Sequence, residues 1–444
     1  MRRKIYQELL QWKQRSGESA LLVQGARRVG KSYIVEAFAK AEYKSYILID
    51  FNLVDQPVKE MFEHDLVDLK TFFMKLTTYY GVKLYERESL IIFDEVQLFP
   101  RARSAIKYLV ADGRYDYIET GSLISIRENV KDILIPSEED HVDMYPLDFE
   151  EFLWANGNDT MMDFIRDCYR KKAPLGQALH RKAMDLFRQY LIVGGMPQAV
   201  NAFVKHNDFD EVDRVKRRIL NLYRDDIRKH AKGYEMKVEA IYDEIPSQMK
   251  NQNQHFKLSS LKQGARFDEY KDAMFWLSDA MIVNHCYNAT EPTFGLNLNR
   301  DRTLLKCYMG DTGLLISHAF DENGIVTGEV YKKLLLDKLE VNMGMVMENM
   351  VAQMLTASGH KLYFYSNSSR SDASSRMEID FLITEEGKVC PVEVKSGNYR
   401  SHSSLDKFRT RFASVIGNSY ILYTKDLMIK DGIAHLPLYM AELL

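Results

Sequence analysis

Cysteine is scarce in this sequence: four residues in 444, Cys168, Cys286, Cys307 and Cys390. They lie far apart and form no CxxC pair, which argues against a zinc ribbon or a disulfide scaffold and suits a reducing, cytoplasmic setting. Proline and glycine are also few, 10 and 23, so the chain is not a low-complexity linker. No run approaches the ~18 uninterrupted apolar residues of a membrane-spanning helix, and no membrane partner is expected. The N-terminal stretch MRRKIYQELLQWKQRS is basic but has no apolar core, so it does not read as a secretory signal. Nor is there an excess of one charge. Sixty basic and 63 acidic side chains leave −3, which removes whole-molecule attraction to nucleic acid but leaves room for a local basic face.

What is present is the balance of a folded protein, 46% hydrophobic and 28% charged. The length suggests about three domains. Residues 1–150 alternate apolar runs (LLVQG, SYILIDF, SLIIFDE, YDYIETGS, HVDMYP) with helical patterns such as KSYIVEAFAKA and RARSAIKYLVAD. That alternation predicts an α/β domain, a parallel sheet with helices on both faces. Residues 151–232 read as a helical appendage broken at Gly194-Gly195 and Pro197. Residues 233–300 predict three helices, KVEAIYDEIPSQM, KLSSLKQGA and FDEYKDAMFWLSDAMIVNHCY, with NATEPTFGLN as a wing. A trihelical module of this size matches a winged helix, although periodicity does not separate it from other small bundles. Residues 301–444 return to α/β, ending in the hairpin EIDFLI with VCPVEVK, a helix and the strand SYILYT.

The chemistry concentrates near the start. Gly25-Ala26-Arg27-Arg28-Val29-Gly30-Lys31-Ser32 fits GxxxxGK[ST] between a strand and a helix, the context in which this loop turns backbone N–H groups towards phosphate oxygens. Lys31 is placed to reach the β- and γ-phosphates of ATP, and Ser32 to ligate Mg2+. Leu90–Phe93 is a buried-strand run ending in Asp94-Glu95. At the C-terminal end of a parallel strand, Asp94 is the second metal-side residue and Glu95 the candidate general base. Thr120 and Ser122, closing YDYIETGS, are candidates to contact the γ-phosphate or position the attacking water. SYILID is the candidate for the extra strand beside the Asp-Glu strand.

With these residues in hand, the chain resembles bacterial and archaeal AAA-type ATPases that carry a C-terminal domain of unknown function, DUF4143. The resemblance runs nearly end to end, on QGARRVGKS, LIIFDEVQ, ETGS, YPLDFEEFL, YLIVGGMPQAV, KCYMGDTGLL, Met347-Glu348-Asn349, EIDFLI and VEVKSG. It implies an AAA-like core (1–150), a helical lid (151–232), a winged-helix module (233–300) and a restriction-endonuclease-like C-terminal fold (301–444). It also implies that Gly195-Met196-Pro197 packs on the adenine, with Pro197 as the contact and Tyr190 nearby as a stacking ring. The Gly-Arg that many members carry before the last core strand is missing from IPSEEDHVDMYP. That leaves Arg101, Arg103 and Arg127 as candidates for an arginine finger.

The hairpin can also be read by alternation alone. Strand side chains point to opposite faces in turn, so Ile379, Phe381 and Ile383 share one face while Asp380, Glu393 and Lys395 gather on the other. This is the spacing of a PD-(D/E)xK nuclease, in which Asp380 and Glu393 hold a second metal, Lys395 orients water and Glu348 adds an acid. The alternative is an amphipathic hairpin with a solvated, salt-bridged face. Bases crowd residues 214–232, interleaved with acids, and fit either phosphate contact or an ordinary solvated helix. The expected partners are ATP and either DNA or a protein. A homo-oligomer is compatible with the sequence but not specified by it.

Overall fold

The computed structural model describes residues 1–15, 17–122, 137–249, 255–320, 333, 343–367, 376–397 and 399–444. It divides into two compact units: residues 1–145 with 279–281, and residues 146–278 with 282–444.

The first unit is built on five parallel strands: β1 (Ala20–Gln24), β2 (Ser45–Asp50), β3 (Ser89–Asp94), β4 (Asp116–Gly121) and β5 (Glu139–Asp143). Their order is β2-β3-β4-β1-β5. The connecting helices include α1 (Ile5–Gln14), which leads into β1, then α2 (Lys31–Glu42), α3 (Gln56–Glu60), α4 (Leu69–Tyr80) and α5 (Pro100–Asp112). Every residue of β3 is buried, as expected of a central parallel strand covered on both faces. Beneath its C-terminal end Phe93 packs edge-on against Phe62 at 5.6 Å and Phe51 at 5.9 Å. This aromatic cluster fixes the strand end that carries Asp94. The strand inserted between β1 and β3 is β4, not SYILID, which forms the outer strand β2. The two run in adjacent registers to β3, Ile47 opposite Ile91 and Tyr117 opposite Ile91, and short apolar runs alone do not order strands.

The second unit opens with five helices: α6 (Phe149–Ala155), α7 (Met161–Lys171), α8 (Gln177–Val193), α9 (Pro197–His206) and α10 (Phe209–His230). The break predicted at Gly194-Gly195 and Pro197 falls between α8 and α9. Two more follow, α11 (Glu235–Glu244) and α12 (Phe267–Asp279). The segment predicted as a middle helix, KLSSLKQGA, forms only a 3-10 turn at Leu258–Ser260. Paired serines and Gly264 favour turns over helix there. The long helix expected to reach Tyr287 stops at Asp279. Met281 takes a positive φ of 56°, and the chain continues as strand β6 (Val283–Ala289), paired antiparallel with β7 (Arg300–Met309). This strand pair is not a separate wing. It forms one edge of an eight-stranded sheet, β12-β13-β11-β10-β9-β8-β6-β7, in which β8 is Tyr363–Asn367, β9 Met377–Glu385, β10 Lys388–Val394, β11 Tyr420–Tyr423, β12 Met428–Lys430 and β13 Ile433–Pro437. Helices α13 (Thr312–Ala319), α14 (Met343–Ala357) and α15 (Ser403–Arg411) complete the unit. Met345 to Leu355 of α14 are all buried, so this helix is enclosed rather than amphipathic.

Three sequence motifs meet in this unit. Leu147 of YPLDFEEFL donates its N–H to the Gly195 carbonyl at 2.7 Å. Asp311 of DTGLL accepts from the Gly195 N–H at 2.6 Å and caps α13 through the Leu314 N–H at 2.8 Å. A Cβ at Gly195 would stand 2.1 Å from the Leu147 carbonyl oxygen, which explains the glycine. Asp311 is 2% exposed, so its loss strands two buried N–H groups. Asp311→Ala should therefore cost about 2–4 kcal/mol, measured as a lower urea midpoint for the second unit at unchanged slope.

Candidate functional site

The loop between β1 and α2 is seated by close contacts. A Cβ at Gly25 would lie 2.3 Å from the Met144 carbonyl oxygen, and Gly30 takes a φ of 97° as α2 begins. Arg28 also adopts a positive φ, 72°, so the loop curls back on itself as a phosphate-cradling turn must. Arg27 and Arg28 are exposed, whereas Ala26 and Val29 are buried. Lys31, 7% exposed, bends over the loop and donates to the carbonyls of Gly25 at 2.9 Å and Ala26 at 3.1 Å. Ser32 donates to Asp94 Oδ1 at 2.7 Å, and the Thr120 hydroxyl donates to that same oxygen. The Glu95 N–H reaches Thr120 Oγ1 at 3.4 Å. Ser122 lies just past the end of β4.

The structure thus brings Ser32, Asp94, Glu95 and Thr120 together from three separate elements. A hydroxyl beside a carboxylate is a hard-oxygen donor set that suits Mg2+, and the loop's N–H groups suit phosphate. Glu95 itself takes a φ of 53°, a costly conformation for a residue with a Cβ and one that recurs where geometry serves chemistry.

Sequence models agree with this geometry. The AAA domain model matches residues 17–153, a domain of unknown function (DUF8612) matches 184–323, and DUF4143 matches 343–440. The chain carries an AAA domain and a C-terminal DUF4143 domain. Similar solved structures include the Walker-type ATPase PABY2304 of Pyrococcus abyssi, at 13% identity and TM-score 0.42, covering 71% of this chain and 95% of that one. The Thermotoga maritima RuvB Holliday junction branch migration motor follows at 11% and 0.29, covering 66% and 90%. The Aeropyrum pernix Orc1 protein in complex with DNA stands at 11% and 0.25, covering 73% and 94%. Scores this low carry no argument of their own. No curated protein matches the sequence. The AAA domain is of the nucleotide-binding ATPase type.

Within the first unit two residues escaped the sequence reading. Gln97, 5% exposed, donates its amide to the Glu95 carboxylate and so positions the candidate base. Arg3, from the stretch weighed only as a targeting signal, donates to the Val29 carbonyl at 2.9 Å and the Tyr145 carbonyl at 2.6 Å. It ties the phosphate loop to the residue that follows β5. Gln97 follows Asp-Glu by two residues and was open to inspection; nothing local marks Arg3.

The arginine-finger candidates fare differently. Arg103 is 2% exposed and pairs with Glu139 at 2.7 Å, with Glu119 close by, so it is a core ion-pair residue and not a finger. Burial pushes the Glu119 carboxyl well above its usual range. Arg101 is exposed and donates to the Phe62 carbonyl, while Arg127 lies outside the described residues. Pro197 opens α9 in the second unit. Tyr190 is core there: fully buried, hydroxyl bonded to the Leu147 carbonyl, ring against Phe149 and Phe152. It offers no face for stacking.

In the DUF4143 domain the predicted faces hold, with Ile379, Phe381 and Ile383 buried on one side. The acid face is only partly solvated: Glu348 and Glu393 are each 2% exposed, while Glu378, Asp380 and Lys395 are half-buried. Lys395 pairs with Glu393 at 2.8 Å, and the Val394 N–H donates to Asp380 Oδ2 at 2.8 Å. Unpredicted is Lys306, 1% exposed, whose ammonium stands 3.0 Å from Glu348, 3.1 Å from Glu378 and 4.0 Å from Asp380.

Arg3→Ala removes two charge-assisted hydrogen bonds from the loop's support. It should cost about 2–3 kcal/mol and weaken binding of a fluorescent ATP analogue, and Arg3→Lys should recover only part of both. Melting and titration of the nucleotide-free protein read the two effects separately.

Proposed function

We propose that this chain is an ATP-hydrolysing switch that works on a partner protein. The observation that carries the reading is the convergence of Ser32 and Thr120 on Asp94 Oδ1 beside the phosphate loop. Ser32 and Asp94 hold Mg2+, which when bound neutralises charge on the phosphates. Lys31 leaves the Gly25 and Ala26 carbonyls and turns its ammonium towards the β- and γ-phosphates. Glu95, steadied by Gln97, takes the proton of the attacking water, and Thr120 orients the reacting end.

Lys31→Ala should bind ATP weakly and turn it over little. Glu95→Gln should bind ATP normally and hold it unhydrolysed, with single-turnover rates lower by roughly two to four orders of magnitude. Near wild-type hydrolysis in Glu95→Gln would move the base elsewhere. ATP binding without turnover in the wild type would make the chain a nucleotide-sensing scaffold.

Support for a protein partner over DNA comes from α10. Most of its bases are engaged: Arg214 pairs with Glu211, Arg217 with Asp213, Arg224 with Asp243 and Arg228 with Glu239, which leaves Arg218 and Lys229 exposed. Lys216 is buried and donates to the carbonyls of Ile192 and Gly313. A helix neutralised in this way has few counterions to release. Duplex DNA should therefore not bind at low ionic strength. Tight binding with a steep inverse dependence on salt would reassign the partner to DNA. The free cysteines suit a cytoplasmic setting.

A further inference from the structure

We propose that Lys306 is the resident cation of the carboxylate cluster in the C-terminal fold, so that Glu348, Glu378 and Asp380 face an ammonium of the chain itself and not a divalent metal. A nuclease of this fold needs Mg2+ on Asp380 and Glu393, with Glu348 beside them, yet here Lys306 stands against Asp380 and Glu348 and Lys395 against Glu393. Mg2+ draws carboxylate oxygens to about 2.0–2.1 Å. Here the Glu348 and Glu378 oxygens stand at 3.0 and 3.1 Å from the Lys306 nitrogen, which are N–H···O distances. Among the described residues no three His, Cys, Asp or Glu side chains are disposed to hold a metal ion.

Other donors of the chain also reach these acids. The Tyr308 hydroxyl donates to Glu348, the Val394 N–H to Asp380, and Lys395 pairs with Glu393. To admit a metal, the Lys306 ammonium would have to withdraw, yet it is enclosed and lies 5.0 Å from the Phe364 ring centroid. Burial alone would lower its pKa, but Glu348, Glu378 and Asp380 outweigh burial and raise it. The ammonium is therefore a fixed positive charge.

The origin of the lysine adds to the case. Lys306 is on β7, outside the DUF4143 match, whereas Glu348, Glu378 and Asp380 lie within it. The charge that closes the cluster comes from a preceding segment, which makes the ion pairs a clamp between the two. Two strands, β6 and β8, separate β7 from the acid-bearing β9.

The test compares wild type with Lys306→Met in nucleotide-free protein, titrated with Mn2+ and followed by calorimetry and thermal melting. Wild type should show no Mn2+ response that Asp380→Asn removes. Lys306→Met should melt lower by roughly 5–10 °C, because buried Glu348 and the partly buried Glu378 and Asp380 lose their cation. Mn2+ should restore part of that loss, and adding Asp380→Asn should abolish the restoration. Should Lys306→Met fail to fold, Lys306→Met with Glu348→Gln reduces the charge imbalance and should fold without Mn2+. An Asp380-dependent Mn2+ response in wild type would overturn the proposal. So would a Lys306→Met protein that melts like wild type, or a double variant no more stable than the single one.

Discussion

Asp94 Oδ1 is where three distant segments of the first unit are held together. Ser32 arrives on the first turn of α2, Thr120 at the end of β4 and Asp94 at the end of β3, and the two hydroxyls share one carboxylate oxygen. This depends on strand order. With β4 between β1 and β3, the ends of three adjacent parallel strands carry the loop, the Thr and the Asp-Glu pair at one level. An order that did not pair β4 with β3 would part Thr120 from Asp94 by at least a further strand spacing, about 4.8 Å, too far for a hydroxyl to bridge. The backbone of Glu95, turned into the left-handed region, then sends its carboxylate to Gln97 and not back along the strand.

The second unit is ordered by buried polar groups on a smaller number of elements. Asn349 bonds to both the N–H and the carbonyl of Met309. One turn on, Gln353 accepts from the Thr312 N–H and donates to the Tyr190 hydroxyl. With Glu348 on Lys306, these residues give an otherwise apolar helix one fixed rotation and one fixed height. Burying such groups gains little net stability, since desolvation offsets most of each bond. Their misplacement is expensive, so they select one packing from the many that a Met-rich helix would accept. Lys216 is the same device in α10. Burial pulls its ammonium down to about 8, and the Ile192 and Gly313 carbonyls accept its protons.

The parts of this architecture legible in the sequence are those whose cause is local. The phosphate loop, the Asp-Glu strand end, the break at Gly194-Gly195 and the alternation of the 378–395 hairpin each follow from neighbouring residues. What escaped was set by distant pairing. Val283–Ala289 continues a helical period, but its Val and Cys are taken up by β7 and β8, so sheet formation overrode the pattern. Arg3 and Lys306 are single long cations whose partners lie far off in sequence, 26 and 142 residues away for Arg3 and 42 for Lys306 with Glu348. No window of periodicity reaches that far. The sequence also misled in one direction: spacing put Asp380 and Glu393 on one face, which is correct, while the face itself is closed by a residue from outside the hairpin.

The two carboxylate sites of this chain differ in what balances their charge. At Asp94 the donors are hydroxyls, which are neutral, so the negative charge is left uncompensated by them. At Glu348, Glu378 and Asp380 an ammonium built into β7 stands against the acids and offsets part of their charge. A short neutral donor keeps a site responsive, because binding a cation there adds electrostatic energy that the empty site lacks. A long charged donor removes that gain, since an incoming divalent ion would first have to expel a buried lysine. On this comparison, acid type and spacing are shared by both kinds of site. The residue that decides between a catalytic centre and a structural clamp is the donor placed opposite the acids, here Ser32 in one case and Lys306 in the other.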